Sequence, residues 1–465
     1  MIKINLWNNK NKFVKRLLKN YYMSCFDIDF ITGVANKNET NHFHIVLNGN
    51  YDICISENGE LDTKNLSQKE YGVLLHEYIH YIQHLLTLFG ICRCKMFNLC
   101  FLKLLQYIHS LDTITLPIKL SKIDNRIENY ENSLRKTLGT KYYSSHNVDA
   151  VEVSDSMLKL AKANNSSVKI GVYDYINDEA IDNEIDFGYW GIIESMAHMI
   201  QRKVDSSINS SHNAVPYRMV ELICANKYPS LCDDENMMIS LCICALMFDN
   251  PGAAFFDVAD YAIKYRIENG RELYSYVLDN FSINYKDETL PLKKAMPLFL
   301  DELLSSIKGI IGIKVNYLYL VAQSCKDEAE CCQSFLLDLL YDNHINFAKD
   351  SMNMLIKKYG LPLIQANNLI IMPNSSKKYT LPYCETARLL GVEILYKRIV
   401  STNAKCPWYS VCSMSQDLSE EEKNSLNTDM TSYECLCDQW NKSQTCLMTQ
   451  AINFYQLDTK TFVQK

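Results

Sequence analysis

The stretch "LLHEYIHYIQHL", Leu74 to Leu85, sets two histidines four residues apart, with a glutamate directly after the first. In a helix, positions i and i+4 stand one above the other, so His76 and His80 can aim ring nitrogens at one ion. Glu77 is turned about 100° from His76 at 3.6 residues per turn. It therefore does not ligate with them but reaches a water beside the ion, where it can serve as general base. The same letters also fit a plain polar stripe on a core helix, since Val73, Leu74, Leu75 and Ile79 flank them. The choice between these two readings decides what can be said about function.

Working outward, Ser67 with Glu70 three residues later forms a capping box, and Gly90 reads as a C-terminal stop. The predicted helix runs for roughly 22 residues, about 33 Å, with both histidines well inside it. Ahead of it, "FHIVL" and "YDICISE" alternate apolar and polar residues around Asn48-Gly49, the signature of a hairpin. Asn58-Gly59 marks another turn or a third strand. After the motif, an amphipathic helix is expected from Ile91 to about Ser110. "TITLPIKL" and "SSVKIGVYDY" read as extended, with polar helix between them. In "FGYWGIIESMAHMIQRKVD" the apolar positions Tyr189, Ile192, Ile193, Met196, Ala197, Ile200 and Val204 keep the helical period. Beyond Pro216 the chain reads as consecutive helices to about Ser401.

Scarce breakers, 15 glycines and 10 prolines in 465 residues, suit that helical reading. The expected class is α+β, mainly helical. It comprises an N-terminal helix and small antiparallel sheet (1–66), a catalytic core with a helical insertion (67–215), a helical half (216–401) and a cysteine-rich tail (402–465).

A net charge of −7, without long runs of either sign, leaves no electrostatic footprint for nucleic acid. The basic opening "MIKINLWNNKNKFVKRLLKN" lacks the apolar core of a secretion signal, and no apolar run reaches membrane-spanning length. The 18 cysteines are then expected as free thiols in a reducing cytoplasm. Cys406, Cys412, Cys435, Cys437 and Cys446 crowd the tail without the C-x2-C spacing of a zinc knuckle, so free thiols are the expectation there too.

"HEYIH" on a capped helix after a small sheet resembles the HExxH zinc metallopeptidases, the zincins. The resemblance implies Zn2+ held by His76 and His80, with Glu77 as the catalytic base. It covers the motif helix, the preceding strands and the next ligand helix, less than half of the chain. The metzincin continuation would need Gly and His soon after His80, and "YIQHLL" lacks them. His84, one turn past His80, and Gln83 read as support or polar packing. The gluzincin subclass takes its third ligand from a glutamate on a later helix, often in an E-x-x-A setting. Glu194 in "GIIESMAHMIQ", with small Ala197 one turn on, matches that. Competitors are Glu184, Asp186, His198 and Glu385, and Glu194 could instead pair with Arg202. The gap from His80 to Glu194 is far longer than in compact members of the family. Such sites commonly add a tyrosine or histidine that hydrogen-bonds the developing oxyanion, for which His198 and Tyr217 are available.

The function expected on these grounds is zinc-dependent hydrolysis of a peptide bond in an intracellular protein or peptide. The alternatives are a zinc hydrolase of a non-peptide amide, and a non-catalytic helical interaction protein with an accidental or degenerate HExxH.

Overall fold

The computed structural model describes residues 51–371, apart from 56–59, 120–122, 124–131, 133, 142, 144–147, 177–178, 211–212, 287, 313–315 and 367–368. It also describes 37–39 and 44–47 before that stretch, and 391–392, 395–396, 398–400, 440 and 447–464 after it. The expected N-terminal helix, Glu385 and the five tail cysteines lie outside the described residues.

The described chain is mainly helical with small sheets. The motif helix α1 (Gln68–Leu86) begins where the capping box requires: Ser67 accepts from the Glu70 amide, and the Glu70 carboxylate accepts from the Ser67 amide 2.8 Å away. Its end differs from expectation. Thr87 closes α1 and opens α2 (Leu88–His109), the two axes bending by 84°. Its hydroxyl donates to the Gln83 carbonyl at 2.6 Å and accepts from the Gly90 amide at 3.2 Å. Gly90 is therefore not a helix stop but the point where α2 leaves α1. A Cβ there would lie 2.5 Å from the Gln83 main-chain oxygen and 2.6 Å from His84 Cα, closer than any side chain can sit.

The first strands pair otherwise than the Asn48-Gly49 signal implies. Strand β1 (Lys37–Glu39) lies antiparallel to β2 (His44–Leu47). The far side of β2 takes β11 (Leu363–Ala366) in parallel, followed by β12 (Leu369–Ile371). Strand β3 (Cys54–Ile55) pairs instead with β4 (Leu61–Asp62), across the second Asn-Gly. Strand β5 (Thr113–Leu116) pairs in parallel with β13 (Thr461–Gln464). The β2–β11 and β5–β13 pairings join segments that the sequence reading places in different domains. A fourth sheet, β6 (Val148–Glu152), β7 (Val168–Ile176) and β8 (Glu179–Phe187), precedes the helix that carries Glu194. The stretch beyond Pro216 is not helix throughout. The hairpin of β9 (Ser282–Tyr285) and β10 (Glu288–Pro291) interrupts it, as do β11 and β12.

Helix α1 is buried on every side, so His76 and His80 do not form a solvent-facing stripe. It packs against α3 (Tyr189–Arg202), which in turn rests on α4 (Glu235–Ala245). The latter is apolar on all sides from Met237 to Ala245 save for Ser240, whose hydroxyl donates to the Asn236 carbonyl, the pattern of a central core helix. On another face of α1, Tyr78 donates to the Gly360 carbonyl at 2.6 Å and Tyr81 to the Tyr359 carbonyl at 2.7 Å. These bonds anchor α1 to the segment that enters β11. No described helix is long and apolar enough to cross a membrane unbroken.

Candidate metal centre

Helices α1 and α3 pack closely, with no room left at their contact for a side chain on Gly72 without its neighbours giving way. Ala197 is fully buried, and a Cβ on Gly72, one turn before His76, would come within 3.2 Å of both Asp205 and Gln201. This contact brings the carboxylate of Glu194 over the two histidines. His76 Nε2 lies 3.2 Å from Glu194 Oε2, His80 Nε2 lies 3.4 Å from the same oxygen, and the two Nε2 atoms are 3.1 Å apart. Four ligands placed 2.0–2.1 Å from zinc in a tetrahedron stand about 3.3–3.4 Å from one another. The observed triangle has nearly that edge, and its donors, two imidazoles and a carboxylate, are types zinc accepts with a fourth position left open.

The electrostatics follow from the crowding. Burial opposes charge on His80, but the Glu194 carboxylate against its ring overrides this and lifts its pKa to about 9. Burial likewise opposes charge on Glu194, yet His80 and His76 hold its carboxyl far below the usual carboxylate range. A proton or a metal ion thus stands to gain from the same lone pairs. Glu77 is buried beside them, near enough for its charge to act on His80, and it makes no third corner of the triangle.

Around the triangle, Gln83 bridges two elements. Its Oε1 is 2.8 Å from His80 Nδ1, and its amide nitrogen donates to the Ile193 carbonyl at 3.1 Å. Tyr217, half-buried, sets its ring 6.1 Å from that of His76, with the His198 ring 5.7 Å behind it. His84 is fully buried outside the triangle, and neither ring nitrogen has a hydrogen-bond partner among the described residues. Burial, with the charges of Arg93 and His80, keeps its pKa well below the ordinary histidine value.

The competitors for third ligand stand elsewhere. Glu184 is exposed on β8 beside Lys169 at 3.3 Å, and Asp186 is on the same strand. Arg202 pairs with Glu235 and Glu221, not with Glu194. Among the described residues, His76, His80 and Glu194 form the single cluster of three potential ligands. An open hollow bounded by Glu60, His344, Asp350 and Asn353 shares none of these residues. Sequence reasoning missed the role of Gly72, although its position four before His76 puts it on the same face. For Tyr217 no spacing rule relates it to His76. No family model, curated protein or solved structure matches the chain.

Proposed function

We propose that the protein is a zinc-dependent metallopeptidase of gluzincin-like type, with His76, His80 and Glu194 as ligands and Glu77 as general base. The observation that carries this reading is the triangle of donor atoms, drawn from two helices and spaced at 3.1–3.4 Å. A zinc ion held there would polarise a scissile carbonyl and acidify an attacking water toward a pKa of about 7. Glu77, on the next helix position after His76, accepts that water's proton and returns it to the leaving amine. Tyr217, with its ring 6.1 Å from that of His76, is a candidate to offer a hydrogen bond to the developing oxyanion. The long helical part beyond Pro216 suits selection of one protein or peptide substrate. Buried thiols such as Cys94, Cys242 and Cys244 suit a reducing compartment, and so an intracellular substrate.

The rival is a helical interaction protein in which the same three side chains share protons as a buried ion pair. Elemental analysis of purified protein separates the two. The peptidase reading expects about one zinc per chain, lost in His76→Ala. Less than about 0.2 equivalents after zinc has been offered would overturn the peptidase reading.

A further inference from the structure

We infer that Gln83 is a positioning residue for the metal: it selects the tautomer of His80 and locks the third-ligand helix in register. The inference rests on the zinc reading above and adds to it a residue that touches neither metal nor substrate.

The argument begins with the amide itself. A glutamine side chain carries one accepting oxygen and one donating NH2 group. The NH2 of Gln83 is committed to the Ile193 carbonyl, which can only accept, at 3.1 Å. Turning the amide over would set two oxygens against each other, so its orientation is decided by the main chain. Oε1 therefore faces His80 Nδ1, at 2.8 Å. Because Oε1 can only accept, the hydrogen must reside on Nδ1. With zinc in place the imidazole would be neutral with one N–H, so the lone pair left for the metal would be that of Nε2, the atom that faces His76 and Glu194. Gln83 is buried, which removes water as a competitor for either bond.

A second consequence comes from position. Ile193 immediately precedes Glu194, so the same amide ties α1 to the turn of α3 that bears the carboxylate. One side chain thus prepares one ligand and holds the backbone of another. His76 has no counterpart, since its Nδ1 is buried without a partner among the described residues. The support therefore falls on His80. A neutral amide also suits the task better than a carboxylate would: two imidazoles, one carboxylate and a divalent zinc leave the centre with net positive charge, which favours attack on a carbonyl.

The test uses the full chain, with zinc as the probe. Zinc affinity is measured by competition with a chromophoric chelator for wild type, Gln83→Met and Gln83→Glu. Methionine keeps the length and loses both hydrogen bonds, and glutamate keeps the acceptor toward Nδ1. Removing such a support costs typically 10–100-fold in metal affinity, so Gln83→Met should bind about that much more weakly. Gln83→Glu restores the acceptor toward Nδ1 but sets an oxygen against the Ile193 carbonyl, so it should recover only part of the loss. Nitrogen-15 spectra of histidine-labelled, zinc-loaded wild type should show a slowly exchanging Nδ1–H on His80, assigned by its absence from His80→Asn. A purely structural role would leave that signal unaffected in Gln83→Met, whereas the inference expects it to exchange rapidly with water. Zinc held within twofold of wild type by Gln83→Met, or a wild-type His80 protonated at Nε2 with zinc bound, would overturn the inference and leave the zinc reading intact. A wild type that binds no zinc brings down both. If Gln83→Met does not fold, the wild-type spectrum and Gln83→Glu still decide.

Discussion

His76 and Glu194 are 118 positions apart in the chain, and their side chains meet with Nε2 and Oε2 at 3.2 Å. Neither helix alone makes the triangle of donor atoms. The i,i+4 histidines supply two corners, and only the packing of α3 on α1 supplies the third.

That division of labour makes the role of Glu194 separable from its neighbours. Glu194→Ala should weaken zinc binding at least as much as loss of a supporting residue, about 10–100-fold, with far-ultraviolet circular dichroism unchanged. Glu184→Ala, altering an exposed carboxylate on β8, should leave zinc affinity as it is. The reverse pattern in a chelator titration would mean that the third ligand has been misassigned.

Glu77 is expected to separate chemistry from binding. Glu77→Gln keeps the shape and removes the base, so zinc content should match wild type while hydrolysis falls by about 10²–10⁴-fold. A substrate can be sought by comparing proteomes of cells expressing the two forms. Equal cleavage by two zinc-loaded proteins would rule out Glu77 as the base.

Tyr217→Phe should retain zinc and lower turnover more than it raises KM, because its hydrogen bond strengthens only as charge develops on the carbonyl oxygen. A loss confined to KM would assign Tyr217 to substrate binding instead.

His84 offers a prediction about pH. Its folded pKa lies well below the ordinary 6.5, because it is buried and lies near the charges of Arg93 and His80. Below pH 6.5 the unfolded chain therefore takes up a proton that the folded chain refuses. Stability from this residue is complete above that pH and declines as pH falls, by up to about 1.4 kcal/mol per pH unit. His84→Leu should flatten this acid limb in denaturant titrations from pH 7.5 to 5 and keep about one zinc per chain. An unchanged limb would show that His84 titrates normally, and loss of zinc would show that it is a ligand.

Gly90→Ala tests the bend. The added methyl meets backbone at 2.5 Å and 2.6 Å, so α2 must shift away from the turn of α1 that carries Gln83. The expected outcome is a lower thermal midpoint together with weaker zinc binding. A lower midpoint with zinc affinity retained would mean that the bend supports the fold and not the centre.

What the sequence by itself determined are the features that depend on a few neighbouring residues. The start of α1 was legible because a capping box is closed by Ser67 and Glu70 alone. The shared face of His76 and His80 was legible because helical periodicity sets their directions, and the helix that carries Glu194 because its apolar positions keep the helical period. What only the tertiary structure decided depends on partners distant in the chain. Gly90 looks like a helix stop until the collision with Gln83 and His84 is seen. The alternating run before Asn48-Gly49 says that a strand exists, but β2 takes β1 and, from more than three hundred residues away, β11. The segment "LPLIQANNLII" passes for helix because a short apolar run carries no period, and its pairing beside β2 makes it strand. The bridge of Gln83 from His80 to Ile193 belongs to the same class: its acceptor is a main-chain carbonyl, which no side-chain pattern encodes.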